Sequence, residues 1–146
     1  MAIYHLEAKM VSRGAGRSAV AAAAYLSCSQ MLNEYDGVQH DYTRKQGLGW
    51  RQVFLPATAP AEWQDRETLW NAVEETETAK DSRLAREFVA ALPIELSQEE
   101  QIQLLQDFIK EQFVADGMCA DAAIHDPYPP GHNPHEIGRA SCRERV

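Results

Sequence analysis

Three of the five histidines, His125, His132 and His135, fall within eleven residues of one another. Pro127, Pro129, Pro130, Gly131 and Pro134 mark the stretch between them as a loop, because these residues impose or permit torsions that regular structure does not use. The apolar run from Met118 to Ile124 predicts a strand ending near His125. Imidazoles on a strand end and a rigid loop can converge on one metal ion, and imidazole is a common ligand near neutral pH. The spacing His-x6-His-x2-His also suits a solvated turn whose histidines hold nothing. Spacing alone leaves both readings open.

A second group lies upstream. Ser12-Arg-Gly-Ala-Gly-Arg-Ser18 puts two glycines and two arginines just before a helix. Ser18 is a suitable N-cap, and the run Ala19-Val-Ala-Ala-Ala-Ala-Tyr-Leu26 has high helix propensity because alanine loses no side-chain entropy. A flexible cationic loop feeding a helix N-terminus can bind phosphate, or it can be an ordinary connection. Helical spacing puts Ser18, Ala21, Ala22 and Tyr25 on one face. That face is either flat enough for another backbone to approach, or a tightly packed seam with Tyr25 in the core.

The elements that must position these residues follow from periodicity. Residues 2–10 alternate as a half-buried strand does. Asp36-Gly37 is a turn signal, and residues 38–42 and 49–55 read as the arms of a hairpin around 43–48. Leu69, Trp70 and Val73 give residues 65–78 an amphipathic helix with an acidic outer face. Residues 87–93 read as a buried strand stopped by proline. Ser97-Gln-Glu-Glu100 fits a capping box that opens a helix through Ile102, Leu105, Phe108, Ile109 and Phe113, closed by Gly117. The order predicts an α+β fold, an antiparallel sheet with helices packed on it.

At 146 residues the chain allows one domain with enough apolar content, 45%, for a core. No run is long and apolar enough to span a membrane, and the start lacks a secretory pattern, so membrane insertion is not expected. Cys28 and Cys119 stand far apart and suggest no disulfide framework, which fits a reducing cytoplasm. The net charge of −8 argues at face value against a nucleic acid partner. Its distribution weakens that argument. Residues 1–55 carry six Lys/Arg against four Asp/Glu, whereas residues 56–135 carry five against sixteen. Local charge governs a binding groove, not the total.

Three stretches together, Ala2-Ile-Tyr-His-Leu6, Gly16-Arg-Ser-Ala-Val-Ala-Ala-Ala-Ala-Tyr25 and Ala123-Ile-His125 with Asn133-Pro-His135, resemble the MobA/MobL family of plasmid-mobilisation relaxases. The resemblance implies a relaxase fold of the HUH endonuclease kind and a metal-assisted DNA nickase. Tyr25 matches the family nucleophile and would attack a phosphodiester of single-stranded DNA at a transfer origin, leaving a 5'-phosphotyrosyl link. His125 and His135 match two of three metal-binding histidines. His132 falls in an insertion relative to the family pattern and carries no role. The resemblance further implies accessory mobilisation proteins as partners, a cytoplasmic setting and a divalent ion, Mn or Mg first, with Zn and Ni also suited to imidazole. A phenol has an ordinary pKa of about 10 and needs its proton removed or its oxygen stabilised before it attacks. Glu87 is a candidate base, or a surface carboxylate. Asp126 could orient His125 or cap the turn. Arg13 and Arg17 are candidate contacts to backbone phosphate, or solubilising charges.

In the family a second histidine stands two places after the one matched by His135; here that place is Ile137. Residues 136–146 show no apolar period and can be back-translated into a common sequencing adapter, so residues 1–135 are expected to be the N-terminal part of a relaxase domain and 136–146 a foreign tail. The fold is then expected to lack its last strand or strands, and this truncated form to be inactive. Two other function classes fit the same residues. One is a metal-dependent hydrolase with water as nucleophile. The other is a module that grips single-stranded DNA without cutting it.

Overall fold

The computed structural model describes residues 6–77, 79–93, 95–125 and 135–141. Its elements are β1 (Leu6–Ser12), α1 (Ala19–Ser27), β2 (Gln30–Asn33), β3 (Val38–Asp41), β4 (Leu48–Phe54), α2 (Arg66–Thr76), β5 (Arg83–Ala91), α3 (Gln98–Gln112), β6 (Ala120–His125) and β7 (His135–Ser141). Five strands form one antiparallel sheet in the order β1-β5-β7-β6-β4, while β2 and β3 form a separate ribbon. An antiparallel sheet with packed helices is the α+β architecture that the element order predicts.

Local chemistry sets the helix ends as the sequence dictates. Ser18 Oγ accepts from Ala21 N (3.2 Å), and Asp65 Oδ2 accepts from Thr68 N (3.1 Å). The capping box of α3 is complete, with Ser97 and Glu100 exchanging side-chain-to-backbone bonds. Gly117, at φ 85°, ends the turn that follows α3.

Strand β6 is buried throughout, and its side chains alternate between two cores. Ala120, Ala122 and Ile124 pack with Phe54, Leu92, Leu105 and Ile109 on the α3 side. On the opposite side α1 and α2 pack with Val11, Val53, Leu84 and Ala85. Asp121 points there, where its buried carboxylate accepts from Arg66 Nε (2.6 Å) and Trp70 Nε1 (3.0 Å) of α2. The same alternation turns His125 towards α1.

Two expectations are corrected. Strand β3 pairs with β2, Asn33 against Val38, and not with β4, which pairs with β6. The Asp36-Gly37 signal is itself the hairpin turn: Gly37 takes φ 72°, and Asp36 Oδ1 accepts from Val38 N (2.9 Å). The sheet position left open by the sequence reading is also filled. Residues 135–141 form β7, paired with β5 on one side and β6 on the other. Ladder pairing asks for backbone N–H and C=O groups and not for apolar alternation, so two strands with unpaired edges can recruit a segment without that pattern. The proline-rich loop with Asp126 and His132, the first five residues and the last five lie outside the described residues.

Candidate active site

Helix α1 is nearly all alanine, and its small side chains let it pack closely. Ala19, Val20, Ala22, Ala23, Ala24, Leu26 and Ser27 are buried, while Tyr25 is 43% exposed. Glu74 of α2, itself buried, anchors the first turn: it accepts from Ala19 N (2.8 Å) and Ser18 Oγ (3.0 Å) and pairs with Arg13 Nη2 (2.8 Å). A carboxylate there meets unpaired helix N–H groups and the positive end of the helix dipole. Asn33 Nδ2 donates to Ser18 Oγ (3.1 Å). At the other end Cys28 takes φ 52° and donates its N–H to the carbonyls of Ala24 and Tyr25. Tyr25 thus projects from a helix fixed at both ends.

Its surroundings bring together residues from four elements. Tyr42 meets the Tyr25 ring edge-on at 5.3 Å, and Lys45 Nζ lies 4.2 Å over the ring. Lys45 Nζ is also 3.2 Å from His125 Nδ1, and His125 Nε2 is 2.9 Å from the carbonyl of Leu26. A carbonyl only accepts, so Nε2 carries the hydrogen and Nδ1 keeps a lone pair. Tyr25 lines an open depression together with Arg17, Asp36, His40, Tyr42 and Glu87. Across it Arg17 Nη2 pairs with Glu87 Oε2 at 2.8 Å.

The structure therefore brings Tyr25, Arg17 and Glu87 to one depression and links His125 to it through Lys45. Arg13 does not line that depression but a neighbouring one, shared with Arg17, Ser18 and Asp36. Its side chain is 9% exposed, paired with Glu74, bonded to the carbonyls of Glu74, Glu77 and Ala79, and stacked 4.0 Å from the Tyr35 ring centre. Those bonds commit its guanidinium to the protein, so the phosphate contact expected of it has no support in this geometry.

The family model described as MobA/MobL family matches residues 17–137. The chain belongs to the MobA/MobL family. Among similar proteins, the conjugal transfer protein TraA of Rhizobium radiobacter is 46% identical over 92% of this chain and 13% of its own length. The probable mobilization protein MobA of Bifidobacterium longum is 42% identical over 92% of this chain and 24% of its own. This MobA/MobL chain thus spans a minor part of these relatives. A solved structure described as the molecular basis of vancomycin resistance transfer in Staphylococcus aureus superposes with a TM-score of 0.87 and 34% identity, over 97% of this chain and 71% of that one. The fold is shared with that structure.

In this MobA/MobL chain His125 donates from Nε2 to the Leu26 carbonyl and meets Lys45 Nζ at Nδ1. The register sets His135 of β7 opposite His125 of β6. Among the described residues no group of three His, Cys, Asp or Glu could hold a metal ion. Among the described residues no helix is long and apolar enough to cross a membrane.

Sequence reasoning missed Lys45 and Glu74, and named Tyr42 only as an alternative nucleophile. Glu74 had a signal, since it stands one helical turn after the core residue Trp70 and so falls on the buried stripe. Lys45 had none, because a loop carries no periodicity.

Proposed function

We propose that this chain is the N-terminal part of a relaxase that nicks one strand of plasmid DNA at a transfer origin during mobilisation. The observation that carries the reading is the exposed Tyr25, which lines a depression with Arg17 and Glu87 and lies under Lys45, itself 3.2 Å from His125 Nδ1. Tyr25 Oη attacks the phosphorus of a phosphodiester, and the bond from phosphorus to the 3' oxygen breaks. The 3' oxygen takes a proton and leaves as a hydroxyl, and the 5' phosphate stays on the tyrosine. Glu87, which lines the depression with Tyr25 and pairs with Arg17, is the carboxylate we assign as acceptor of the phenol proton. Arg17, 39% exposed, is the arginine we assign to a backbone phosphate.

His125 and His135 would hold a divalent ion, Mn or Mg first, with Zn or Ni also compatible, and such an ion supplies charge neutralisation to the phosphate oxygens. The accessory mobilisation proteins and the cytoplasmic setting belong to the same reading. So does the foreign origin of residues 136–146, with which the chain as it stands is inactive although residues 135–141 fill a sheet position.

The test uses a parent protein that continues naturally after His135, incubated with supercoiled origin DNA and divalent metal, and asks for an adduct that survives denaturing electrophoresis. Tyr25→Phe is expected to abolish the adduct. Full adduct formation by Tyr25→Phe would sink the nucleophile assignment and turn attention to Tyr42 or Tyr4. Nicking without an adduct would support water as nucleophile, and bound but uncut DNA a binding module.

A further inference from the structure

We propose that Lys45 is a phosphate-contacting residue of this site, holding a non-bridging oxygen of the DNA backbone beside Tyr25. The inference rests on the nicking function just described. The cations near Tyr25 are Arg17, which has Glu87 at 2.8 Å, and Lys45. Among the described residues no carboxylate lies within ion-pair distance of Lys45. Its side chain is half-buried, with Nζ 4.2 Å over the face of Tyr25 and 3.2 Å from His125 Nδ1. A partly desolvated cation without a counter-charge is unfavourable unless an anion completes it.

The position is also built and not incidental. Tyr42 N donates to the carbonyl of Ser29 (3.0 Å), tying the loop to the end of α1. Asp41 Oδ1 accepts from Thr43 N (2.9 Å) and Thr43 Oγ1 (2.6 Å), and Lys45 N donates to the carbonyl of Tyr42 (3.0 Å), closing a turn. Tyr42 then packs on Tyr25, so the turn that fixes the lysine backbone is registered to the tyrosine itself. An ammonium is a point charge with three rotatable donors, suited to an oxygen that shifts as a phosphate passes from tetrahedral to in-line geometry.

The experiment measures binding of single-stranded dT12 to residues 1–146 by fluorescence anisotropy across a salt series. Each phosphate neutralised on a single strand contributes about 0.7 to the slope of log affinity against log salt. Lys45→Met and Lys45→Gln are each expected to lower that slope by about 0.7, with Lys45→Arg restoring it and Lys110→Met on α3 leaving it unchanged. The Tyr25 ring resonances should shift on adding dT12 to the unsubstituted chain and lose that shift in Lys45→Met. An unchanged slope, no measurable binding by the unsubstituted chain, or unfolding of both neutral variants would overturn the proposal, the last by making the ammonium a structural strut. The slope is read without any bond being broken, so it stands or falls separately from the Tyr25→Phe adduct test.

Discussion

Replacing Glu74 should unfasten the helix that carries Tyr25. In Glu74→Ala, Arg13 loses its counter-charge while its side chain stays 9% exposed, and Ala19 N and Ser18 Oγ lose their acceptor. Removing one partner of a buried ion pair costs about 3–5 kcal/mol. Arg13 keeps the carbonyls of Glu74, Glu77 and Ala79, which places the loss near the lower end, about 3 kcal/mol. For a domain of this size that corresponds to a fall in Tm of roughly 10 °C. Glu74→Gln keeps an oxygen for Ala19 N and should fall between the two. The neighbouring Glu75 is exposed, and Glu75→Ala should stay within about 0.5 kcal/mol of the parent. Urea and thermal unfolding followed by far-UV circular dichroism give all three values. A Glu74→Ala protein within 1 kcal/mol of the parent, on the order of what a surface substitution costs, would refute the reasoning.

Asp121→Ala leaves Arg66 and the indole N–H of Trp70 without their shared acceptor and should cost about 3–5 kcal/mol in urea unfolding. Burial pushes the Cys119 thiol up to about 11, so iodoacetamide at mildly alkaline pH should label Cys28 well before Cys119 in peptide mass mapping. Because that pKa is raised in the folded state, the associated stability is complete below the ordinary thiol value and is lost as pH rises towards 11. The backbone N–H and hydroxyl of Ser97 hold the Glu100 carboxyl below its ordinary range, so this contribution is present above the ordinary carboxylate value and disappears as pH falls through the lowered one. The stability advantage of the parent over Glu100→Ala, followed by acid titration of helicity, should vanish in that window.

What the sequence made legible is what short-range chemistry decides. The Ser18 cap, the reciprocal Ser97 and Glu100 bonds and the apolar run ending at His125 each depend on residues within a few places of one another. The choice of partner for β3 did not, because either flanking segment could have met it, and the decision fell to burial of β4 against β6. Glu74 and Asp121 read as ordinary acids on a helix face and in a strand. Their roles depend on Arg13 and Arg66, which stand 61 and 55 residues away. At the candidate site the Tyr25 face and His125 were visible, whereas Lys45, which bridges them, reaches His125 from 80 residues away.

The strand order carries a consequence for how such a chain emerges from a ribosome. Strand β7 comes last among the described elements yet lies in the middle of the sheet, joining the β1–β5 ladder to the β6–β4 ladder. Until it leaves the exit tunnel, the nascent chain holds two half-sheets with facing open edges, and the helices pack across both of them. Vectorial synthesis would let these halves form early, and their joining must wait for residues 135–141. During that interval the open edges of β5 and β6 are the surfaces on which two nascent chains on one polysome would exchange strands, or on which a chaperone would act.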